Sequence, residues 1–282
     1  MARRQIEHAK QRHGTALVED LSSVLRAPDI DNDVRMALLN LAGGLSDPRL
    51  LPAIQACWTL DEGRSERLDD YLWAFSFCCT PETAEEALGP LCAEWSVLPE
   101  EKQGDAICSP RNEVADDEIR WTFERRPPGP AINYLVKRGE QEDLSWQIYY
   151  LLHGVDHPEA IRFCVAAMAR AHARSDQGYF INFRKGQDHW DRYAEEHGIY
   201  MSGQGRAQLR DIWQDTARDE HERIPALDLW ASSWGEDDLG HLRSWQDDPI
   251  LSDRILRRRL EREDAEAIPL LLPKLDGEKR RY

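Results

Sequence analysis

The sequence predicts an all-α protein built as a solenoid of stacked helical hairpins. Apolar residues recur with the spacing of one helix face, as in Leu68, Leu72 and Phe75. Breaks that contain proline separate such stretches, and strand-like patterns are nearly absent, the best being residues 179–183. At 282 residues the chain is long for one compact core, whereas a solenoid grows by adding layers. We therefore predict a single array over residues 1–282.

Four stretches carry the helical periodicity. Apolar side chains spaced by three or four residues lie on one face of a helix, which can then pack against a neighbouring helix. We expect each stripe to face the core of the array. The stripes are Val34, Leu38, Leu41 and Leu45; Leu68, Leu72, Phe75 and Cys79; Leu144, Ile148, Leu151 and Val155; and Leu227, Trp230 and Trp234.

Proline residues mark the turns between the predicted helices. Proline lacks the amide donor that a helix interior needs, but its fixed φ angle suits the first turn of a helix. A preceding Asp or Thr side chain can accept a hydrogen bond from a free amide of the new helix. Four pairs therefore predict the end of one helix and the start of the next: Asp47-Pro48, Thr80-Pro81, His157-Pro158 and Asp248-Pro249.

Two segments interrupt the helical rhythm. Residues 126–130, Arg-Pro-Pro-Gly-Pro, are predicted to be non-helical and to bend the array. Residues 175–205 form an insertion rich in glycine and aromatic residues, and long loops in compact folds are typically functional or disordered. Aromatic side chains beside basic ones are the composition of an interaction hot spot. We predict a partner-binding patch at Tyr179, Phe183, Arg184, Lys185, Trp190, Arg192 and Tyr193.

The formal net charge of −16 restricts the choice of partner. Such a chain is repelled by phosphate backbones and anionic membranes unless its basic residues gather on one face. The notable basic runs, at residues 125–126, 257–259 and 279–281, are short, and we interpret them as solvated helix faces. The sequence therefore favours a protein partner over nucleic acid or a membrane.

Composition also predicts a cytoplasmic protein with reduced cysteines. No apolar stretch reaches the roughly 18 residues that a membrane span needs, and residues 1–8 lack the apolar segment of a signal peptide. The six cysteines form no Cys-x-x-Cys pair and lie mostly among apolar residues, so we expect reduced core thiols. An oxidant-sensing pair at Cys78 and Cys79 is the alternative.

The tryptophans fall into two groups. Trp190 lies in the 175–205 insertion, where it can contact a partner. A larger group falls at apolar positions of predicted helices, and we expect core packing for Trp58, Trp73, Trp95, Trp146, Trp213, Trp230 and Trp234.

Candidate catalytic and metal-binding groups are isolated in the sequence. His153 and His157 have the spacing of two ligands on a helix, but Pro158 places them in a hairpin turn, where that geometry is lost. Asp188 could orient His189 for acid–base chemistry, yet no nucleophile motif accompanies this pair. Phosphate-binding loops are also absent from the sequence. We predict a protein without enzyme activity, with no catalytic residues, no metal site and no cofactor.

Residues 33–54 closely resemble a HEAT repeat. In that family the first helix carries an Asp-x-Val-Arg-like start, which residues 33–35, Asp-Val-Arg, resemble. A turn ending in Asp-Pro-Arg, here residues 47–49, leads into a second helix with an early proline, here Pro52. Echoes of the second helix occur at residues 265–272 and, more loosely, at 157–161. The resemblance covers about two-thirds of the chain with irregular spacing.

This resemblance implies a solenoid whose helix-lined surface holds a macromolecular partner. Residues 245–275 also look like the C-terminal arrays of bacterial STAND-type NTPases, which implies a sensor or regulatory module of a signalling or defence system. Other HEAT-like proteins are DNA glycosylases with a basic groove, so nucleic-acid binding or glycosylase activity is the alternative. An enzyme with its active site in the 175–205 insertion is a third hypothesis. The apolar residues Leu270, Leu271, Leu272 and Leu275 indicate an end piece of a larger architecture or a segment that packs against something, and the alternative is a terminal helix that folds back on the array.

Overall fold

The computed structural model describes residues 2–99, 103, 128–173, 204–232 and 238–279. All regular secondary structure within these ranges is helical, which confirms the all-α prediction. The chain divides into two compact units, Met1–Cys164 and Val165–Tyr282. The prediction of a single solenoid over the whole chain stays a prediction.

The helices of residues 2–173 range from 8 to 24 residues in length, and most are separated by tight turns. Single 3-10 turns at Pro48–Leu50, Arg64–Glu66 and Glu142–Leu144 lead into the third, fourth and seventh helices. The α-helices are α1 (Ala2–Leu25), α2 (Asn32–Leu45), α3 (Leu51–Leu60), α4 (Leu68–Cys78), α5 (Ala84–Ser96), α6 (Gly129–Gly139), α7 (Ser145–Leu152) and α8 (Pro158–Ala173).

The helices of residues 204–279 follow the same pattern. Asp248 and Pro249 fall between two of them, and Asp264 precedes a 3-10 turn at Ala265–Ala267 that leads into the last helix. The α-helices are α9 (Gln204–Gln214), α10 (Glu220–Ser232), α11 (Asp238–Ser244), α12 (Ser252–Glu261) and α13 (Ile268–Lys279).

The predicted proline breaks coincide with helix boundaries. The Asp47 carboxylate accepts a hydrogen bond of 3.0 Å from the amide of Arg49 and thereby caps the 3-10 turn that Pro48 begins. The second pair, Thr80-Pro81, lies between α4 and α5, and Pro158 is the first residue of α8. These boundaries confirm that the local sequence ends and restarts helices.

One predicted break differs from the structure. Gly129 and Pro130 belong to the first turn of α6, although the sequence predicts them to be non-helical. Proline is tolerated there because the first amides of a helix have no intrahelical acceptor. Residues 126 and 127 lie outside the described ranges, so the bend in the array stays a prediction.

The buried face of α2 is rotated from the predicted stripe. Val34 is exposed, and the neighbouring Arg35 is buried instead. Arg35 is held inside by a salt bridge of 3.1 Å to Asp61. A pattern of apolar residues cannot show that an arginine occupies the core. Leu38 and Leu41 are half-buried, and the buried side chains of α2 are Arg35, Leu39, Ala42 and Leu45.

The other stripes are buried wherever the structure describes them. The stripes starting at Leu68 and Leu144 are buried throughout, although Val155 lies beyond the end of α7. In α10, Leu227 and Trp230 are buried, and Trp234 lies outside the described residues. Core packing of tryptophan is confirmed at Trp58, Trp95, Trp213 and Trp230, whereas Trp73 and Trp146 are only half-buried.

Gly43 allows α2 and α4 to approach closely. A Cβ atom on Gly43 would lie 2.1 Å from Nε1 of Trp73, far inside van der Waals contact. The indole is not free to swing away, because its Nε1 donates a hydrogen bond of 3.1 Å to the Asn40 carbonyl. Its ring also packs on Phe77, with centroids 4.7 Å apart. Any larger residue at position 43 must therefore displace a fixed tryptophan.

Gly43→Ala is expected to lower the free energy of unfolding by about 1–3 kcal/mol through overpacking. Helix propensity alone favours alanine over glycine by about 1 kcal/mol. A net loss of unfolding free energy in Gly43→Ala would therefore show that the steric contact outweighs this preference. Gly240→Ala is the matched control, because a Cβ atom there would meet nothing within 4 Å apart from its chain neighbours and its own helix backbone. Urea unfolding followed by circular dichroism measures both variants. A Gly43→Ala variant as stabilised as the control would contradict the close packing of α2 on Trp73.

Candidate protein-binding site

The predicted partner-binding patch lies outside the described residues. Its seven residues, from Tyr179 to Tyr193, fall within residues 174–203, which are not among the described ranges. The same holds for Asp188 and His189, the pair that could support acid–base chemistry. The patch therefore stays a prediction, and the described surfaces supply the candidates below.

The histidine pair at residues 153–157 forms the predicted turn. α7 ends at Leu152, Gly154 adopts a positive φ of 87°, and α8 begins at Pro158. His157 caps the new helix, since its Nδ1 accepts a hydrogen bond of 3.3 Å from the amide of Glu159, and burial lowers the pKa of His157. Across the described parts of the chain, no three His, Cys, Asp or Glu side chains come close enough to hold a metal ion.

The described cysteines behave as core residues. Cys57, Cys78, Cys79, Cys92 and Cys164 are buried thiols, as predicted, and Cys108 lies outside the described ranges. Burial raises the pKa of the Cys79 thiol to about 11 and that of Cys92 to about 12. The reactive thiolate is therefore scarce at neutral pH at both positions, which disfavours oxidant sensing by Cys79.

The basic run of α12 is neutralised within its own unit. Each guanidinium of residues 257–259 lies within salt-bridge distance of a carboxylate, and the shortest contacts measure 2.7–2.9 Å. Positive charge that is already paired attracts phosphate groups weakly. The pairs join Arg257 to Glu261, Arg258 to Asp228 and Glu261, and Arg259 to Asp264.

A polar groove of about 450 Å³ lies between α5 and α6. Glu85 lines it from α5, and Tyr134, Lys137 and Arg138 line it from α6. Arg138 is already bound to Asp143 through contacts of 2.5 and 2.6 Å, and this hydrogen bonding lowers the pKa of the Asp143 carboxyl. Glu85 and Lys137 are exposed to solvent. The groove is hydrophilic and carries both signs of charge, so it points to no particular ligand.

A second surface, at the end of the described chain, is apolar. Ile268 is 52% exposed and Leu272 is 58% exposed, and Leu270 and Ile250 also face solvent. Large aliphatic side chains are usually buried, since burying one stabilises a protein by about 1.5–3 kcal/mol. We call these four residues, Ile250, Ile268, Leu270 and Leu272, the C-terminal apolar surface.

A groove lies beside Leu270, one of these four residues. It has a volume of about 330 Å³, and Leu270 of α13, Leu256 of α12 and Pro249 form its apolar walls. Gln246 and the exposed Asp247 lie at its edge. An apolar surface with polar residues at its rim is the usual composition of a protein-interaction site.

The sequence predicts part of this surface. Leu270, Leu271 and Leu272 are the residues expected to pack against something; Leu271 is half-buried and the other two are exposed. Ile250 and Ile268 were missed, because single isoleucines beside prolines carry no periodic signal. Only the folded structure shows that both side chains are exposed.

Comparisons with known proteins add no relative to these observations. None of the described helices combines the length and apolar character needed to cross a bilayer. No protein-family model, no curated protein and no solved structure matches this chain.

Proposed function

We propose that this protein is a protein-binding scaffold or sensor module that acts through the surfaces of its helical hairpins. The observation that supports this proposal most is the C-terminal apolar surface. Exposed apolar residues that are adjacent and rimmed by polar groups mark interaction sites in soluble proteins. Ile268 and Leu272 are four residues apart on α13 and therefore share one helix face, the arrangement that a partner helix can cover.

The charge distribution supports a protein partner over nucleic acid. The chain carries a net charge of −16, and the three arginines of residues 257–259 are paired with carboxylates of the same unit. Binding to a duplex depends on many unpaired basic groups facing the phosphates. The resemblance to DNA glycosylases is the alternative, and duplex binding with a steep salt dependence would favour it.

We also propose that the chain is a HEAT-like solenoid and that it acts as a sensor like the STAND-type arrays. Capped hairpins such as the one around Asp47-Pro48 support a repeat architecture, because single hairpins cannot bury their apolar faces alone. A sensor array would use such a face to recognise another protein. In this proposal the 175–205 insertion supplies a second contact, through Trp190 and Tyr193.

The proposal is tested by comparing the partners of three variants in the cell. The Ile268→Glu/Leu272→Glu variant places two charges on the C-terminal apolar surface. Val34→Glu is the matched control, since Val34 is 48% exposed and lies in the first turn of α2, where an acidic residue is tolerated. Trp190→Ala/Tyr193→Ala tests the insertion. Proteins bound to each variant are quantified by mass spectrometry after affinity purification.

We expect the double-glutamate variant to lose partners that the wild type and Val34→Glu retain. Introduced carboxylates must be desolvated on binding, and a loss of at least tenfold in recovery is expected when both face the partner. Retention of every partner by both the double-glutamate variant and the insertion variant would rule out these surfaces. A far-ultraviolet circular dichroism spectrum identical to wild type shows that each variant is folded.

A further inference from the structure

We propose that His157 is a pH-sensitive cap, whose neutral ring closes the turn between α7 and α8 and whose protonation in mildly acidic solution opens that turn. His157 is the last residue before α8, which begins at Pro158. The half-buried ring has one nitrogen at the start of α8 and the other near the start of α6. The C-terminal apolar surface takes no part in this turn, so the two proposals are tested separately.

One ring nitrogen of His157 carries no proton when the turn is closed. Nδ1 lies 3.3 Å from the backbone nitrogen of Glu159, and a backbone amide can only donate a hydrogen bond. Nδ1 is therefore the acceptor, which requires a neutral ring with its proton on Nε2. An imidazolium has a proton on both nitrogens and offers no acceptor. Protonation of the ring therefore removes the hydrogen bond that caps α8.

The position of the ring also disfavours a positive charge. A Cβ atom built on Gly129, the first residue of α6, would lie 3.8 Å from Nε2 of His157. The ring is therefore close to the N-terminal ends of both α6 and α8. Each of these ends carries the partial positive charge of a helix dipole, which repels a cation within the first turn. This repulsion and the loss of the cap act in the same direction.

Burial and one carboxylate determine how readily His157 is protonated. Burial lowers the pKa of His157 and the Asp156 carboxylate raises it by less, so the pKa lies below the ordinary value of about 6.5. A histidine with a lowered pKa in the folded state contributes its full stabilisation above that ordinary value. The contribution is lost as pH falls through about 6.5 towards the folded pKa. The turn is therefore expected to open in mildly acidic solution.

The other ionisable groups of the three helices lie away from the ring or have partners of their own. Glu159 of α8 is paired with Arg162, and α7 contains tyrosines but no acidic or basic residue. His153, at the end of α7, is buried beside Tyr149, with ring centroids 5.3 Å apart, and is retained in every variant below. The ionisable residues of α6 all lie beyond its first turn, and they are Tyr134, Lys137 and Arg138.

Hydrogen exchange of the full chain tests this cap. In His157→Asn the side chain can still cap the helix, because asparagine is among the best capping residues, but it does not titrate. The measured quantity is the exchange rate of the wild type divided by that of His157→Asn, in a peptide from the first two turns of α8. The intrinsic pH dependence of exchange cancels in this ratio. The control peptide covers α4, Leu68–Cys78.

We expect the ratio for the α8 peptide to rise about fivefold between about pH 7.5 and pH 5.5, which is the effect of losing one typical helix cap. The ratio for the α4 peptide is expected to stay constant. Asp156→Asn removes the carboxylate that favours the protonated ring, so exchange of the α8 peptide should increase at a lower pH than in the wild type.

Nuclear magnetic resonance of the imidazole rings gives a direct second readout. The His157 signal is identified among the nine histidines by its absence in His157→Asn, and it is expected to titrate below about pH 6.5. Three results would overturn the inference. These are a His157 signal that titrates at or above that value, an exchange ratio that stays constant in the α8 peptide, and an equal rise in the α4 peptide, which would show global unfolding.

Discussion

Asp61→Ala is expected to lower the free energy of unfolding by about 3–5 kcal/mol, because it leaves two buried guanidinium groups without a counter-charge. The Asp61 side chain is 1% exposed and lies between Arg67 and Arg35, both buried. Nε of Arg67 donates a hydrogen bond of 3.0 Å to the Asp61 carboxylate, and the Tyr71 hydroxyl donates another of 3.0 Å. All of these groups lie within the first unit.

The matched control is Asp47→Ala. Asp47 also forms an ion pair with an arginine, Arg49, with a contact of 2.6 Å, but that guanidinium is largely exposed. Exposed pairs contribute about 0–1 kcal/mol, although this variant also loses the cap of its turn, worth about 1 kcal/mol. Urea unfolding followed by circular dichroism at neutral pH compares the two variants. Equal losses would show that Asp61 is not a buried counter-charge.

The acid dependence of the Asp61 variant gives a second readout. Burial acts to raise the pKa of Asp61, but hydrogen bonds from Arg67 and Tyr71 outweigh it and hold the pKa below its ordinary value. A carboxyl group with a lowered folded-state pKa stabilises the protein above its unfolded pKa of about 3.9, and this contribution is lost as pH falls through the folded value. The difference in unfolding free energy between wild type and Asp61→Ala should therefore narrow below about pH 4.

Trp213→Ala is expected to lower the free energy of unfolding by about 3–5 kcal/mol, the usual range for removing a large core side chain. Trp213 is fully buried in the second unit. Its ring contacts those of Trp230 and Trp245, with centroids 5.4 and 5.7 Å apart. The backbone carbonyl of Trp213 also accepts a hydrogen bond of 3.0 Å from Nε of the buried Arg223. The cavity left by alanine would loosen this whole cluster.

Trp213→Phe separates packing from hydrogen bonding. Nε1 of Trp213 has no acceptor among the described residues, so phenylalanine loses volume without losing a hydrogen bond. We expect a smaller loss of about 1–2 kcal/mol for Trp213→Phe, within the ordinary range for core substitutions. Thermal and urea unfolding of both variants, followed by circular dichroism, make the comparison. If Trp213→Phe lowered the free energy of unfolding as much as Trp213→Ala, packing volume would not explain the loss. That result would assign a polar role to the indole and contradict a purely apolar role for this side chain.

Local features of the fold were predictable because they depend on neighbours in the sequence. The Asp47-Pro48 pair specifies a cap and a first turn within three residues, and the structure forms both. The stripe from Leu68 to Cys79 specifies a buried face through the fixed rise and rotation of a helix, and that face is buried. Helix content and most helix boundaries follow from such short-range rules.

The interior charges and the apolar surface were decided only by tertiary structure. Arg35 is buried in place of Val34 because Asp61, which caps the end of α3, neutralises it. Arg223 reaches Asp248, 25 residues further along the chain, for the same reason. Leu272 is as apolar as the buried Leu72, yet it is exposed because no described helix covers that side of α13. The sequence by itself determined that the described chain is helical and where several of its helices begin and end. Which face of each helix is covered depends on contacts between residues distant in the chain, and only the folded structure brings those residues together.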